Sequence, residues 1–297
     1  MRLLIAASRI LVLFIVISAL SASTPQSNAA SCLGQLTENT RSIERWLDRP
    51  YRGDISHSLS KRWFDIERRS QKVNWLAFRK HAQNPVFLEI QRLRSQGSAT
   101  IYIQNNALHG ISDAFEQALL NWNEAEQKVV EWVEAAQPIT FGRLQWINQK
   151  IHDHAAPSWI TSGALRTYEQ KFMGGHVPVS AGDVLPALQR FEVWFQGAEK
   201  RLHPIQVAAE AYQRLILIHP FADGNGRSIR LLLDWILQRH GFPPAAFASI
   251  DDVNIFRLNH ARFELVEPWE IVVKVTDAIE NALTLVEGSV NSRHSRQ

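Results

Sequence analysis

The chain has 297 residues, of which 45% are hydrophobic and 21% charged, a composition typical of one large globular domain or two small ones. The net charge of +3 at pH 7 is only mildly basic. There is no dense Lys/Arg run with interleaved aromatic residues, so the sequence argues against a nucleic-acid partner. Cys32 is the single cysteine, which excludes an internal disulfide.

The first 29 residues predict a secretory signal peptide. A basic start is followed by a largely apolar stretch from Leu3 to Ala22, whose uninterrupted apolar run, 10–17, is short for a membrane span. Small residues suited to a cleavage site follow at 27–29. We therefore expect an exported protein, periplasmic or secreted. The alternative is a single-pass membrane protein anchored by an uncleaved N-terminus.

Hydrophobic spacing predicts that most of the remaining chain is helical. Helices are expected over 40–47, 58–82, 85–95, 113–136 (with Asp113 as N-cap), 205–218 and 227–238. Seven tryptophans fall inside helical patterns and are expected in the core: Trp63, Trp75, Trp122, Trp132, Trp146, Trp194 and Trp235. Residues 33–97 match no known pattern, and three uses stay open for them: packing on the core, docking a partner, or forming a homodimer.

The segment Ile218–Arg230, IHPFADGNGRSIR, combines residues suited to a nucleotide polyphosphate. His219 precedes a proline and is therefore pushed out of the helix, to the mouth of a loop. Its imidazole titrates near neutrality and could take a proton from an attacking hydroxyl. Asp223 supplies a hard oxygen ligand for Mg²⁺, which typically binds one carboxylate together with phosphate oxygens and water.

The second half of this segment predicts an anion site at the start of a helix. Gly224-Asn225-Gly226 permits close approach of a ligand to backbone N–H groups at a helix N-terminus. Arg227 and Arg230 are three residues apart, so both are expected on one side of the first turn. Each feature alone is common as a turn, a cap or a structural side chain. Their combination in this order favours nucleotide chemistry.

The same residues match, without a gap, the signature H-P-F-x-[DE]-G-N-G-R-x-x-R of the Fic family. The chain resembles that family over roughly 139–250 and more weakly over 98–138. The resemblance implies an all-α fold, a helical bundle with a small β-hairpin flap over the active site. The implied divisions are a signal peptide or anchor (1–29), an N-terminal helical region (30–138), a Fic core (139–250), a C-terminal helical extension (251–288) and a disordered tail (289–297).

The resemblance also implies an activity, the transfer of AMP from ATP to a Ser, Thr or Tyr hydroxyl of a target protein. His219 would act as general base, Asp223 would hold Mg²⁺, and Phe221 would anchor the loop in the core. The implied nucleotide-binding residues are Met173, Gly174, Gly175 and His176 in the flap, and Asp223, Gly224, Asn225, Gly226, Arg227, Ser228, Ile229 and Arg230 in the motif. The flap, within 161–188, would hold the target backbone as an added strand.

Alternatives to AMP transfer stay open. Gly226 stands where Doc-like kinases have lysine, which disfavours phosphate transfer. UMP or phosphocholine transfer by the same site is compatible with the motif, because 252–260 matches the adenine-binding residues of relatives only loosely. A catalytically silent binding module that uses the flap to hold a partner is the alternative from another class. The intact His219, Asp223 and Arg230 argue against it.

Two segments resemble the inhibitory helix of many Fic proteins, whose glutamate pairs with the second motif arginine. In 100–106, Gln104 stands where that glutamate is expected, whereas Glu280 in 276–281 fits the pattern fully. We favour Gln104 as the counterpart. A neutral amide loses the charge-assisted part of the pair, so we expect a weakly restrained or constitutively active enzyme. The alternative is that 98–104 is an ordinary core segment.

Overall fold

A computed structural model describes residues 57–73, 75, 111–154, 160–170, 178–247 and 268–294, except for the side chains of 111–116, 268 and 289–294. All of these residues belong to one compact unit, which spans 43–297.

The described residues are mostly helical. In chain order the elements are α1 (His57–Val73), α2 (Ile111–Glu134), α3 (Phe141–Ile151), a 3₁₀ turn (Ala181–Asp183), α4 (Val184–Ala198), α5 (Pro204–Ile218), α6 (Asn225–Arg239) and α7 (Pro268–His294). No strand occurs within the described ranges. Leu165 and Phe221, both described, form an isolated antiparallel β-bridge. The prediction of a helical fold is confirmed for this part of the chain. The β-hairpin flap stays a prediction, because residues 171–177 lie outside the described residues.

Most helix boundaries agree with the sequence pattern to within two residues. The exceptions lie in the N-terminal half. The prediction that Asp113 caps a helix is wrong, because α2 begins at Ile111 and Asp113 lies within its first turn. Of the helix predicted over 58–82, the structure has α1 over His57–Val73, and 76–82 lie outside the described residues. The helices predicted over 40–47 and 85–95 lie outside the described residues.

The ends of α5 are set by local sequence. Pro204 occupies its first turn, where the missing N–H costs nothing, and the imidazole of His203 accepts a hydrogen bond from the Ile205 N–H as an N-cap. At the other end His219 adopts a left-handed conformation with φ 52° and ψ 62°. The helix therefore stops at Ile218, as expected from the proline that follows His219.

The helix α5 lies at the centre of the molecule. It packs against α4, α6 and α7, while α6 also packs against α2 and α3, and α7 packs against α1. Both α5 and α6 are buried along nearly their whole length. The short loop that joins them, 219–224, is therefore held between two helices that have little freedom to move.

Tryptophans fill much of this core, as the sequence pattern predicts. Five of the seven predicted core tryptophans are buried, and Trp132 and Trp146 are partly buried and pack against the main cluster. Trp132 stacks on Trp235 of α6 with ring centroids 4.9 Å apart. Among the helices that the structure describes, none combines the length and the apolar character that a membrane span requires.

Candidate active site

The loop between α5 and α6 carries the residues singled out by the sequence. Phe221 is 1% exposed and stacks on Phe141 of α3, with ring centroids 6.2 Å apart. Its backbone forms the isolated bridge with Leu165, and the Arg166 N–H donates to the Pro220 carbonyl at 2.9 Å. The predicted anchoring of the loop by Phe221 agrees with this packing.

Asn225 closes the loop through its side chain. Its Oδ1 accepts from the Phe221 N–H at 2.9 Å, and its Nδ2 donates to the Phe221 carbonyl at 2.7 Å. The side chain is 2% exposed. Asn225 therefore shapes the loop from inside, and any contact with an anion at this position belongs to the backbone at the start of α6.

Gly224 is the one position in the loop where a side chain is excluded on two grounds. Its φ of 75° lies in the left-handed region that glycine adopts freely. A Cβ atom there would lie 2.3 Å from Cε1 of His152 and 2.9 Å from Nδ2 of Asn148. The glycine thus lets α3 approach the loop closely enough for its polar side chains to reach Asp223.

Asp223, Arg227 and His152 form a compact polar cluster at the N-terminus of α6. Oδ2 of Asp223 lies 3.2 Å from Nη2 of Arg227 and 3.2 Å from Nε2 of His152. Those two nitrogen atoms lie 3.1 Å apart. The cluster joins α3 to the loop across 71 residues of sequence.

The hydrogen bonds of His152 define where its ring protons lie. Nδ1 lies 2.9 Å from the Asn148 carbonyl, which can only accept, so Nδ1 carries a proton. In the neutral ring Nε2 then accepts from Arg227, and in the protonated ring it donates to Asp223. Either arrangement fixes the orientation of the Asp223 carboxylate.

Asp223 is held in its ionised form. Burial by itself would raise the pKa of this carboxyl. The hydrogen bond with His152, the charges of Arg227 and His152, and the Gly224 N–H outweigh burial and lower the pKa of Asp223 well below its ordinary range. The loop therefore presents a fixed negative charge at neutral pH.

This donor set fits Mg²⁺ that arrives with a polyphosphate. In the described part of the chain no group of three or more Asp, Glu, His or Cys side chains is placed to hold a metal. One carboxylate beside an anion-binding helix N-terminus is nevertheless the protein share that Mg²⁺ commonly takes when phosphate oxygens supply other ligands. Asp223 is the residue that would hold it.

The two motif arginines contact different neighbours of α6. Arg227 is 8% exposed and faces α3 through the polar cluster. Arg230 is 7% exposed, and its guanidinium lies over the ring of Trp122 in α2 at 5.8 Å from the centroid. Both guanidinium groups are therefore packed before any ligand is present. Their predicted contacts with phosphate stay a prediction.

The side chains of Ser228 and Ile229 lie on the interior side of α6. The Ser228 hydroxyl donates to the Gly224 carbonyl at 3.0 Å and accepts from Nδ2 of Asn148 at 3.1 Å. Ile229 is fully buried in the core. These two side chains therefore support the loop from the interior side of α6, and the predicted nucleotide contact of Ser228 and Ile229 stays a prediction.

The sequence interpretation missed Asn148 and His152. Asn148 links three segments, because its Nδ2 also donates to the Asp223 carbonyl at 2.9 Å and its Oδ1 accepts from the Gly163 N–H at 2.9 Å. The available signal was the position of these two polar residues, four apart on the same face of α3 as the buried Leu144 and Ile151. Polar side chains on a buried helical stripe indicate a hydrogen-bonded site.

Several predicted residues cannot be placed at the loop. Met173, Gly174, Gly175, His176 and Gln104 lie outside the described residues.

Glu280, the second candidate for an inhibitory glutamate, lies on α7. Both of its carboxylate oxygens accept from Arg62 of α1, at 3.0 and 2.7 Å. The structure thus places Glu280 in the contact between α1 and α7 and does not bring it to Arg230.

The Fic/DOC family matches residues 138–237, which include α3 to α5, the loop and most of α6. Among curated proteins, the chain is similar to the protein adenylyltransferase Fic of Drosophila grimshawi, with 32% identity over 169 residues that cover 57% of this chain and 34% of the relative. The corresponding protein of Drosophila mojavensis is 40% identical over 107 residues, covering 36% and 21%. The chain thus spans about a third of the length of the first of these relatives.

Solved structures agree in fold. Fic-1 from C. elegans superposes with a TM-score of 0.63 at 19% identity, covering 95% of this chain and 93% of that one. A Fic family protein from Desulfovibrio desulfuricans G20 gives 0.59 at 18% identity, covering 80% and 77%. The architecture and the loop therefore define a protein with the Fic fold. By its motif and this match, the chain contains a domain of the Fic/DOC family at 138–237.

Proposed function

We propose that this protein transfers AMP from ATP to a Ser, Thr or Tyr hydroxyl of a target protein. The observation that carries the proposal is the position of His219, at the left-handed end of α5, on the same short loop as the ionised Asp223 and the N-terminus of α6. The names of the curated relatives, protein adenylyltransferases, support this reaction over the part of their length that the chain matches.

The proposed chemistry needs one base and a site for the leaving group. His219 takes the proton of the target hydroxyl as its oxygen bonds to the α-phosphorus of ATP. The bond between that phosphorus and the oxygen bridging to the β-phosphate breaks, and pyrophosphate leaves with the electron pair. His219 then releases the proton to solvent, and the target carries AMP in a phosphodiester bond.

The start of α6 supplies the charge stabilisation that phosphoryl chemistry requires. The first backbone N–H groups of an α-helix have no partners within the helix and carry partial positive charge. Arg227 and Arg230 add two cations at this end of α6. Mg²⁺ held by Asp223 would neutralise charge on the α- and β-phosphates when bound.

We also propose that the flap, within 161–188, positions the target protein. One solved structure with the same fold, at a TM-score of 0.52, is that of a Fic domain in complex with adenylylated Cdc42. In this chain one described flank of the flap contacts the loop, since the Arg166 N–H donates to the Pro220 carbonyl at 2.9 Å. The other flank contacts the last turn of α5, since the Val179 N–H donates to the Leu217 carbonyl at 3.3 Å. A target strand paired with the flap would therefore lie near His219.

A transfer assay tests this function. The full chain is incubated with Mg²⁺, a cell lysate and, separately, α-labelled ATP, UTP, GTP or CTP, beside His219→Ala and the control His154→Asn, which alters an exposed histidine. Label from ATP on protein with the wild type and the control, and its loss with His219→Ala, would support AMP transfer. Label from UTP alone would assign UMP transfer. No label from any nucleotide would overturn the proposal in favour of phosphocholine transfer or a binding module.

A further inference from the structure

We infer that Arg166 is a positioning residue for this reaction, which fixes His219 and ties both flanks of the flap to the catalytic loop. The inference rests on the proposed function. Arg166 lies immediately after the residue that bridges to Phe221, and its side chain is 3% exposed.

The guanidinium of Arg166 donates to backbone carbonyls in three separate segments. Nε donates to the carbonyl of His219 at 2.7 Å, and Nη2 donates to the carbonyl of Ile218 at 3.3 Å. Nη1 donates to the Tyr168 carbonyl at 3.1 Å, and Nη2 also donates to the Val179 carbonyl. A planar fork is suited to joining acceptors that lie in different directions, and a lysine ammonium is not.

The charge of Arg166 is balanced by a helix end. None of the described carboxylates accepts a hydrogen bond from it, and burial lowers its pKa against the opposing charge of Glu169. A buried cation without such a partner is costly unless other groups solvate it. The C-terminus of α5 provides this solvation, because its last carbonyls have no partners within the helix and carry the negative end of the helix dipole.

The contact with His219 acts on a strained residue. A left-handed conformation is unfavourable for a histidine and persists where the surroundings hold it. The hydrogen bond from Nε fixes the carbonyl of this residue, and the Arg166 N–H fixes the next carbonyl, that of Pro220, at 2.9 Å. Arg166 thereby orients the peptide from which the imidazole projects.

The remaining contacts reach both sides of the flap. Tyr168 precedes residues 171–177 and Val179 follows them, and both carbonyls accept from the same guanidinium. The base and the two flanks of the proposed target-binding segment therefore share one buried side chain. Displacing that side chain should misplace the base relative to the target hydroxyl while leaving the N-terminus of α6 intact.

The test compares Arg166→Lys with Arg214→Lys. Arg214 is a matched control because it is 2% exposed and lies on α5 over the ring of Trp194, at 4.2 Å from the centroid. We expect kcat to fall by about 100-fold in Arg166→Lys, the effect of misplacing a reacting group by about 1 Å. The Kd of a non-hydrolysable ATP analogue should stay within about threefold of the wild-type value, which corresponds to less than about 1 kcal/mol of binding free energy. In Arg214→Lys both quantities should match the wild type.

A second measurement does not depend on activity. Amide hydrogen exchange at His219 and Val179, whose N–H groups donate to Leu215 and Leu217, should accelerate by at least about tenfold in Arg166→Lys and not in Arg214→Lys. Added guanidinium ion should restore part of the activity of Arg166→Ala and none of that of His219→Ala. Wild-type exchange rates in Arg166→Lys would overturn the inference whether or not the wild type transfers AMP. If the wild type is active, an unchanged kcat would overturn it too.

Discussion

His152 is one of two side chains that orient the Asp223 carboxylate, the other being Arg227. Replacing His152 by Asn removes the contact from Nε2 to Oδ2 of Asp223, because the amide is too short to reach it. We expect a loss on the order of 10- to 100-fold in Mg²⁺ affinity or transfer activity, as for other residues that orient a metal-binding carboxylate. The loss should appear as a higher Mg²⁺ concentration at half-maximal rate.

His154→Asn is the matched control for this prediction. His154 lies two residues away, its side chain is 84% exposed, and Asn tolerates its positive φ. Equal Mg²⁺ dependence in the two variants would contradict an orienting role for His152.

The backbone geometry at position 224 requires glycine. An alanine there would combine an unfavourable φ of 75° with a Cβ 2.3 Å from Cε1 of His152. We expect Gly224→Ala to lower the free energy of unfolding by at least about 2 kcal/mol, from strain and overpacking together. Urea unfolding measures this change.

Gly142→Ala supplies the comparison for Gly224. Gly142 lies in α3, and nothing is within 4 Å of a Cβ placed there. The substitution should be neutral or stabilising by less than about 1 kcal/mol, since alanine has the higher helix propensity. If both variants unfold at the same urea concentration, the close approach of α3 to the loop is not a constraint on the fold.

At the scale of elements, α1 and α7 are joined by a run of polar contacts. Nε1 of Trp63 donates to Oγ1 of Thr276 at 3.0 Å, and Arg62 and Arg69 form ion pairs with Glu280 and Glu287. These ion pairs are partly exposed, so each is worth less than about 1 kcal/mol. The predicted C-terminal extension therefore packs on the N-terminal helical region, an association that hydrophobic periodicity alone does not specify.

This packing separates the two candidate inhibitory residues. Glu280→Gln should leave the transfer rate unchanged, because the Glu280 carboxylate pairs with Arg62. Gln104→Glu should lower the rate, because it restores the charge that the family's inhibitory segment uses. Initial rates of transfer measure both effects. Glu287→Gln, which breaks the neighbouring pair with Arg69, controls for a general loss of the α1–α7 contact.

Two outcomes would contradict this assignment of regulation. A several-fold increase in rate with Glu280→Gln but not with Glu287→Gln would assign the inhibitory role to Glu280. An unchanged rate with Gln104→Glu would remove regulation by 100–106.

For the whole molecule, the carboxyls of Asp223 and Glu210 should make opposite contributions to the pH dependence of stability. The pKa of Asp223 is lowered in the folded state, chiefly by the His152 hydrogen bond and the Arg227 charge acting against burial. Its stabilisation is therefore complete above about pH 4, the ordinary carboxyl pKa, and is lost as pH falls toward the folded pKa. Burial raises the pKa of Glu210, so its contribution is largest below its ordinary pKa and is lost as pH rises.

Urea unfolding between pH 3 and 7 checks this pair of signs. The difference in free energy of unfolding between wild type and Asp223→Asn should shrink as pH falls. Relative to Glu210→Gln, the wild type should gain stability over the same interval. Parallel pH profiles for the wild type and both variants would refute the two assignments.

Export is also a property of the whole chain. We propose that residues 1–29 direct secretion, and that the enzyme acts where ATP is available after export. Fused ahead of a reporter enzyme that needs disulfides, these residues should give reporter activity outside the cytosol. Deletion of 2–29 should abolish that activity. Equal activity of both fusions would rule out an export signal, and the mass of the mature protein distinguishes cleavage from anchoring.

Local sequence by itself determined the helices and the identity of the loop. The helix α5 ends at Ile218, two residues before Pro220, and Gly224 precedes the first residue of α6. These outcomes depend on steric rules that act between neighbouring residues, which is why spacing and motif predict them. The tryptophan core follows in the same way from helical periodicity.

Only the tertiary structure decided which side chains surround the motif. His152 reaches Asp223 across 71 residues, Arg166 reaches His219 across 53, and Arg62 reaches Glu280 across 218. Such contacts depend on how buried helices pack and on which partners the buried polar groups bond to. Spacing along the chain specifies neither of these. For the same reason the motif does not show that the packing of α6 turns the side chains of Ser228 and Ile229 to the interior.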